Sequence, residues 1–391
     1  MLHTALAAAR HRRLRAFATP FAFTASEIAK VGNLPFGRLS EFMEAQLSRR
    51  QVPDVLSAEL VRRGSLAEAA AVVARRTGQF PRAMADLRDI FFDARVARLL
   101  EPGDEAVVCA YHAALATIRR ARNLGVRSVL DWPVAHHRFA QQILTEEISR
   151  RPDYAITMQF HRVPPRRAMR LESELADADV VTVPSSFQKA TFVESGVEEN
   201  KITVIPFGVD STQFRPPTQE PPGPFRVLFV GQLTQRKGLS YVIDAFRAAN
   251  LSDAELVLVG AHVGAVPPSA QHPSIKHVPE VRPEQVPELY RGAHVFILLS
   301  LVEGLARVVL EAMASGLPVI ATRNTGAEEV LVDERSGFIV PIRDTDAVVD
   351  RLRLLYDSPS WRSRIGAEAR REAERFTWEH YAARMVATAM G

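Results

Sequence analysis

Apolar residues in the second half of the chain occur in short β-branched runs that alternate with segments of helical periodicity. The runs predict strands at 225–231, 254–260, 275–278, 295–300, 318–322 and 337–340. The periodic segments between them predict helices at 240–249, 286–293 and 307–315. Such alternation is typical of βαβ units, in which a parallel sheet is buried on both faces. A doubly wound α/β domain is therefore predicted here.

The first half shows the same alternation less cleanly. Strands are predicted at 17–21, 106–110, 128–131, 180–184 and 202–206, and long helical segments rich in alanine and arginine at 57–100 and 136–178. A proline-rich stretch at 215–225 can continue neither a helix nor a central strand, so it is predicted to be a linker. The sequence thus predicts an N-terminal domain at 1–214 and a C-terminal domain at 226–375, which face each other across a cleft.

The beginning of the chain departs from the usual pattern. A doubly wound domain opens with a strand and a glycine-rich turn before its first helix, whereas here residues 2–10 already have a helical pattern. Either the first strand is missing from this chain or the N-terminal sheet is atypical. We expect the first alternative, and the coding sequence upstream of Met1 would decide it.

Composition limits the classes of function. The chain contains no run of about 18 uncharged apolar residues, and its first basic residues follow the apolar stretch, which is the wrong order for a secretory signal. Cys109 is the only cysteine, which excludes an intrachain disulfide and a thiolate metal cluster and predicts a cytoplasmic protein. The net charge of +4 favours no nucleic-acid partner. Arginine clusters at 10–15 and 162–170 indicate solvated helix faces or, alternatively, peripheral contact with anionic lipids on the inner face of the membrane.

Two glutamates carry the clearest chemistry. Glu303 follows the predicted strand 295–300, at the strand end where open α/β sheets bind ligands, and Glu311 lies eight residues later among apolar neighbours. Eight helical residues rise about 12 Å, roughly the span from a hexose to the ribose of a sugar nucleotide. A helix N-terminus between them suits a diphosphate. A buried Glu311 would need a ligand or a cation. The alternative is two solvated glutamates on an amphipathic helix.

A pair of cations stands at a second strand end. Arg236 and Lys237 follow the predicted strand 225–231, where they can reach diphosphate oxygens and stabilise charge on a departing nucleotide. A solvated turn is the alternative. Because these cations can neutralise the diphosphate, and no Asp-x-Asp-like cluster stands at a strand end, the sequence predicts no metal and no cofactor.

Three segments, VIPFGVDSTQF, VGQLTQRKG and EGLARVVLEAMASGLPVIATRNTGAEEVLVDERSGFIVP, resemble the retaining GT-B glycosyltransferases of family GT4, the glycosyl transferases group 1. The resemblance is dense over about residues 180–391. It implies two facing Rossmann-like domains, a donor held mainly by the C-terminal one, and a final helix, 376–391, that packs back on the N-terminal domain. The implied donor-binding residues are Gly231, Arg236, Lys237, Val281, Arg282, Gly304, Leu305, Ala306, Arg307 and Glu311, with Glu303 near the reacting carbon.

The resemblance has departures as well as matches. Gln232 replaces a usual arginine, Ala306 replaces a frequent glycine, and the family's N-terminal glycine-rich turn has no counterpart. On the acceptor side, Asp131 and His136 match a place where the family often has a carboxylate or histidine near the acceptor hydroxyl, and they are the predicted catalytic partners of Glu303. Alternatively, His136 and His137 cap the following helix or bond to the backbone.

Together these features predict transfer of a hexose from a UDP- or GDP-sugar, with retention at the anomeric carbon. The predicted acceptor is a hydroxyl of a glycan, a lipid-linked acceptor or a small molecule. Two alternatives stay open. One is a degenerate GT-B protein that binds a nucleotide sugar or a partner without turnover. The other is a sugar-nucleotide 2-epimerase, which shares the architecture.

Overall fold

The computed structural model describes residues 2–10, 13–19, 56, 60–63, 82–158, 161–264 and 272–391. By the density of internal contacts these residues form two compact units. Unit 1 comprises Met1–Asp131, Met169–Val181 and Ala382–Gly391, and unit 2 comprises Trp132–Ala168 and Thr182–Tyr381. The chain therefore enters unit 1 three times and unit 2 twice.

Unit 2 contains a six-stranded parallel sheet. Its strands are β7 (Phe225–Val230), β8 (Ala254–Val259), β9 (Ile275–Val278), β10 (Val295–Leu298), β11 (Val319–Thr322) and β12 (Phe338–Val340), in the spatial order β12-β11-β10-β7-β8-β9. The order reverses between β10 and β7, as in a doubly wound fold. Every predicted strand of the second half is present, because β-branched runs bounded by glycine and proline suit a sheet buried on both faces.

Helices accompany these strands. In unit 2 they are α4 (His137–Arg150), α6 (Ser186–Glu194), α7 (Leu239–Ala249), α8 (Val286–Arg291), α9 (Arg307–Ala314), α10 (Thr345–Asp357) and α11 (Pro359–Ala373). Apart from α6, their apolar faces share one core with β7, β10 and β11, whose residues are almost all buried. Short 3₁₀ helices at Gln235–Lys237 and Arg323–Thr325 follow β7 and β11 directly. These turns lie at the carboxyl ends of the strands.

The first half of the chain contributes a four-stranded sheet in the order β3-β4-β5-β6. The strands are β3 (Ala106–Ala110), β4 (Arg127–Asp131), β5 (Val180–Val183) and β6 (Ile202–Val204), with β3 and β4 paired in parallel. The helices of unit 1 include α1 (Leu2–Arg10), α2 (Arg82–Ala97), α3 (Leu115–Leu124) and α5 (Pro165–Asp177), the last of which also begins in unit 2. The four strands agree with the predicted ones to within a few residues.

One predicted helix is wrong in part. Residues 57–100 were expected to be helical, but Val61–Arg63 is a strand, β2, which pairs in parallel with β1 (Phe17–Thr19). Val61 is buried beside Ala5 and Leu56 in a small apolar cluster. Long-range pairing and burial therefore override the helical composition at this position. Positions 20 and 21 of the predicted first strand lie outside the described residues, as do most of 57–81.

The last helix, α12 (Trp378–Met390), begins in unit 2 and ends in unit 1. In unit 1, Ala389 packs with Val129 and Val180, and Arg127 donates to the carbonyl of Thr388 at 3.3 Å. Among the helices that the structure describes, none is long and apolar enough to cross a membrane.

Candidate functional site

The site begins at the turn that follows β7. Gly231 has a φ of +147°, and a Cβ placed there would lie 3.1 Å from Cδ of Lys237. A Cβ on Gly260, the residue after β8, would lie 2.0 Å from the carbonyl oxygen of Gly231. These two glycines let the turn pack against β8 and let the Lys237 side chain pass close over the backbone. The turn then directs Arg236 and Lys237 toward the loop after β10.

Glu303 is held between these two cations. Its Oε1 accepts from Arg236 at 2.6 Å and lies 2.9 Å from Nζ of Lys237, and its side chain is 13% exposed. Burial alone would raise the pKa of Glu303, but the charges of Arg236 and Lys237 outweigh it and lower that pKa to about 2. Glu303 is therefore an ionised carboxylate at any physiological pH. The three residues carry a net charge of +1.

Backbone hydrogen bonds fix the loop that carries Glu303. The N–H of Glu303 donates to the carbonyl of Asn324 at 3.0 Å, and that of Ala306 donates to the carbonyl of Thr325 at 3.0 Å. The Asn324 side chain donates in turn to the carbonyl of Leu301 at 2.8 Å. The N–H of Ala306, one of the implied donor-binding residues, is thus engaged with Thr325 in this structure.

Gly304 is enclosed by two other parts of unit 2. A Cβ at Gly304 would lie 2.2 Å from the carbonyl oxygen of Pro133 and 2.4 Å from Oε1 of Gln188. Ser185 donates to the Gly304 carbonyl at 2.6 Å, and Gln188 donates to the carbonyl of Trp132 at 2.6 Å. Only a glycine fits between these groups. The sequence before α4 and the start of α6 therefore both pack on the Glu303 loop.

The second glutamate lies on α9, which begins at Arg307. Glu303 is four residues before that helix, so the predicted single helical span of about 12 Å between the two carboxylates is wrong. The rise from Arg307 to Glu311 is about 6 Å, and a loop covers the rest. Ala306 is the N-cap residue and provides no side-chain cap, and the N–H of Val309 donates to its carbonyl at 2.9 Å, so the N–H groups of Arg307 and Val308 are the ones available to a ligand.

Glu311 has a protein partner. Its Oε2 accepts from the Tyr290 hydroxyl at 3.1 Å, and Oε1 lies 3.9 Å from the guanidinium of Arg307. Burial raises the pKa of Glu311, although the Arg307 charge and the Tyr290 hydrogen bond oppose it. The expected satisfaction of this carboxylate thus comes at least partly from within the protein. The environments of Glu311 and Glu303 shift their pKa values in opposite directions, upward for Glu311 and downward for Glu303.

The remaining predicted donor residues differ in exposure. Leu305, two residues before α9 begins, is buried. Arg307 has a largely exposed side chain whose guanidinium lies 5.3 Å from the Trp378 ring centre. Val281, half-buried, and Arg282, exposed, follow β9, the edge strand of the six-stranded sheet.

On the predicted acceptor side, His136 is a capping residue. It is fully buried, and its Nδ1 accepts from the N–H of Arg138 at the start of α4. Burial, followed by the charges of His137 and Arg138, lowers the pKa of His136 to about 3. The imidazole is therefore neutral, and the capping alternative describes His136. Asp131, the last residue of β4, belongs to unit 1, whereas His136 and Glu303 belong to unit 2.

Sequence reasoning missed several residues around the site. Tyr290 sits in an ordinary helical pattern, and nothing local indicates that its hydroxyl reaches Glu311. Ser185 follows the predicted strand 180–184, and no helix was predicted after that strand. Its bond to Gly304 has no sequence signal.

Comparison with known proteins supports the family suggested by the motifs. Residues 210–372 match the family model described as glycosyl transferases group 1. A D-inositol 3-phosphate glycosyltransferase of Arthrobacter sp. (strain FB24) is 29% identical over 243 residues, which cover 56% of this chain and 57% of that protein. The putative colanic acid biosynthesis glycosyltransferase WcaL of Escherichia coli (strain K12) is 31% identical over 174 residues, 40% of this chain and 42% of that protein. The match thus spans 57% of the length of the first relative and 42% of the length of the second.

Solved structures show the same fold. A sucrose-phosphate synthase from Thermosynechococcus elongatus superposes with a TM-score of 0.60 and 21% identity, over 79% of this chain and 79% of that one. Anabaena HepE in complex with UDP and glucose gives a TM-score of 0.65 at 15% identity, over 99% and 94% of the two chains. The predicted α/β fold class of GT-B type is confirmed.

Proposed function

We propose, starting from the membership of residues 210–372 in the glycosyl transferases group 1 family, that this chain is a nucleotide-sugar-dependent glycosyltransferase. Its reaction would move a hexose from a UDP- or GDP-sugar to a hydroxyl acceptor with retention at the anomeric carbon. The names of the similar curated proteins support the transfer, and the complexes of HepE with UDP and with UDP-glucose support a sugar nucleotide as the donor. The acceptor would be a glycan, a lipid-linked molecule or a small molecule.

The observation that carries the proposal is the buried, ionised Glu303 between Arg236 and Lys237. A carboxylate at this strand end accepts hydrogen bonds from sugar hydroxyls, while the guanidinium and the ammonium bind diphosphate oxygens. A bound donor would therefore replace the ion pairs of Glu303 with Arg236 and Lys237 by hydrogen bonds from its sugar hydroxyls to Glu303 and ion pairs from its diphosphate to the two cations. The first N–H groups of α9 and the cation Arg307 would add to the phosphate site. Glu311 would accept from the ribose diol.

For the chemical step, we propose a front-side attack. The bond between the anomeric carbon and the phosphate oxygen breaks, the bond to the acceptor oxygen forms on the same face, and the departing phosphate takes the acceptor's proton. The lowered pKa of His136 supports this assignment, because a buried neutral imidazole with a pKa of about 3 is a poor base near neutral pH. Arg236 and Lys237 would stabilise the negative charge that develops on the nucleotide.

The two cations also lead us to propose that transfer needs no metal. Arg236 and Lys237 would supply the positive charge that a divalent cation provides elsewhere. We expect transfer rates in excess EDTA to equal those in millimolar magnesium chloride, measured by release of the nucleoside diphosphate. A rate that collapses in EDTA and returns with magnesium would contradict this part of the proposal.

The two glutamates allow a direct test of the site. We expect Glu303→Gln to lower turnover by about 100-fold, because an interaction made with the reacting sugar is lost. Glu311→Gln should instead weaken UDP or GDP binding by roughly tenfold, the cost of one charged hydrogen bond. Calorimetry gives the affinities, and diphosphate release gives the rates.

Glu288→Gln is the control, since its side chain is 72% exposed. It should leave both quantities unchanged. If Glu303→Gln and Glu311→Gln also bind and transfer like the natural chain, the site assignment is wrong. A thermal-shift screen over UDP- and GDP-sugars identifies the donor for these assays, because a ligand that binds only the folded state raises its melting temperature. Binding without any hydrolysis or transfer would instead favour a non-catalytic nucleotide-sugar-binding protein.

A further inference from the structure

A fully buried carboxylate, Glu147 on α4, lies at the centre of a hydrogen-bond network. Its Oε1 accepts from Nε2 of Gln235 and from the Tyr241 hydroxyl, both at 2.7 Å, and its Oε2 accepts from Nε of Arg343 at 2.8 Å. The donors come from three different segments, the turn after β7, helix α7 and the loop after β12. One side chain therefore fixes these three segments to α4.

Gln235 is the donor that matters for the site, because it directly precedes Arg236 and Lys237. Its N–H donates to Oγ of Thr157 at 3.0 Å, and its Oε1 accepts from the N–H of Ser240 at 3.1 Å. Its Nε2 is shared between Glu147 and Oγ of Ser240, at 2.7 Å each. Both the main chain and the side chain of Gln235 are thus held, and with them the turn that aims the two cations at Glu303.

The same helix is tied to the other side of the site. Immediately before α4, the Pro133 carbonyl lies where a Cβ on Gly304 would have to be, and His136 caps the helix. The 11 residues from His136 to Glu147 correspond to a rise of about 16 Å. The segment that leads into α4 therefore packs on the Glu303 loop, and the helix itself contacts the Arg236–Lys237 turn near its end.

Energetics argue that the carboxylate does more than fill the core. Burying a charge costs several kcal/mol, and well-packed apolar side chains of similar volume stabilise a protein as well or better. Arg343, the cation of the network, also has a φ of +68°, a region that disfavours residues with a Cβ. Strain of this kind persists where the surrounding structure demands it, and it is concentrated near functional sites.

We propose that Glu147 is a positioning residue, which holds Gln235 and so sets where Arg236 and Lys237 stand relative to Glu303. The inference rests on the proposed donor site. Glu147 itself contacts neither donor nor acceptor in this assignment. Its effect is on the diphosphate, through the turn, and this separates it from a residue that merely stabilises the fold.

The test compares Glu147→Gln with Tyr241→Phe. In Glu147→Gln we expect the one amide oxygen to turn to the Arg343 cation, so that the amide nitrogen faces Nε2 of Gln235 and that hydrogen bond is lost, whereas Tyr241→Phe leaves it in place. We expect Glu147→Gln to lower turnover by about 30-fold, since displacements near 1 Å cost about 100-fold. The turnover of Tyr241→Phe should stay within about twofold of that of the natural chain, because the hydrogen bond that it removes starts on α7 and leaves the turn in place.

The affinity for UDP relative to that for uridine is a measurement that a loss of stability alone does not change. Because only UDP carries the diphosphate, Glu147→Gln should weaken UDP by about tenfold and leave uridine unchanged, as for the loss of about 1.4 kcal/mol. Should UDP not bind the natural chain, GDP and guanosine replace the pair. Gln235→Met removes the same hydrogen bond, between positions 235 and 147, from the side of the turn, so it should weaken UDP binding as well. If Glu147→Gln does not fold, Gln235→Met takes its place in this test.

Two outcomes would overturn the inference in different ways. If the natural chain binds neither UDP nor GDP, the donor site itself is wrong, and the inference fails with it. If the natural chain binds and the variants melt earlier yet keep the UDP-to-uridine ratio and the turnover, Glu147 is a structural residue only and the donor site stands.

Discussion

Glycines determine how closely the backbone segments of the site approach one another. Gly326, with a φ of +74°, would carry a Cβ 2.1 Å from the carbonyl oxygen of Gly304, and Gly304 would carry one 2.2 Å from that of Pro133. Three backbone segments are therefore stacked at distances that only glycine permits. The Glu303 loop is held between them, so its position depends on two residues that have no side chain.

Gly326→Ala tests this close approach, with Gly196→Ala as its matched control. Both glycines have a positive φ, but a Cβ on Gly196 meets nothing within 4 Å. We expect Gly196→Ala to cost about 1–2 kcal/mol of unfolding free energy from backbone strain alone. Gly326→Ala should cost about 1–3 kcal/mol more, since the backbone must also move apart. Equal losses in denaturant titrations would show that the stacking relaxes without cost.

The buried His136 predicts a pH dependence of stability. Its folded pKa of about 3 lies below the ordinary 6.5, so the unfolded chain binds this proton more readily. The stabilisation is complete above pH 6.5 and is lost as the pH falls toward 3. Relative to His136→Asn, which can still cap, the natural chain should lose about 1.4 kcal/mol between about pH 7.5 and about pH 5.5. Urea titrations at both pH values measure the difference.

His380→Asn serves as the control for that experiment, because His380 is exposed. It should follow the natural chain at both pH values. If His136→Asn follows the natural chain as well, the folded and unfolded states bind the proton of His136 equally, and the neutral assignment fails.

Individual site residues differed in how far the sequence could predict them. Glu303, Arg236 and Lys237 follow strand ends in a parallel sheet, so the sequence alone suffices to place all three at one edge, where they do meet. Tyr290 and Glu147 act across long separations in sequence, 21 residues to Glu311 and 88 to Gln235. No local pattern records such contacts, because they depend on how helices pack.

At the level of elements, strands were predicted better than helices. Short β-branched runs favour buried strands of a sheet that is covered on both faces. The strands β3 and β9 accordingly match the predicted residues at both ends. Alanine- and arginine-rich segments favour a helix only through local propensity, a weak preference that pairing can override. The strand β2 shows this, since Val61 pairs with Phe17 more than 40 residues away.

The start of α6 links an element's stability to the site. Ser185 accepts from the N–H of Gln188 as an N-cap and also donates to the Gly304 carbonyl. Asp344 caps α10 in the same way, by accepting from Ala347 at 2.9 Å. We expect Ser185→Ala and Asp344→Ala each to lose about 1 kcal/mol of stability.

Only Ser185→Ala should also lower sugar transfer, by roughly tenfold, because the freed Gly304 carbonyl loosens the Glu303 loop. Thermal melting and diphosphate release measured on both variants separate the two effects. Equal activities would mean that the loop is held without Ser185.

At the scale of the whole molecule, alternation of strands and helices was enough to predict the fold class, because a parallel sheet requires a crossover helix after each strand. The same alternation does not predict the path that the chain takes between the compact units. Residues 169–181 and 382–391 return to unit 1 after long excursions. Composition marks the proline-rich stretch 215–225 but carries no information on such returns. The domain boundaries drawn at that stretch stay a prediction.

The place of β7 in the middle of its sheet has a consequence for amide hydrogen exchange. It is hydrogen-bonded to β10 on one side and β8 on the other, and Val227 and Phe229 are fully buried. Exchange at these amides should require global unfolding, so their protection should equal the full unfolding free energy. The turn bearing Arg236 and Lys237 thus follows a strand whose amides should exchange only on global unfolding. Nucleotide binding adds to the unfolding free energy, so it should raise the protection of β7 by that added amount.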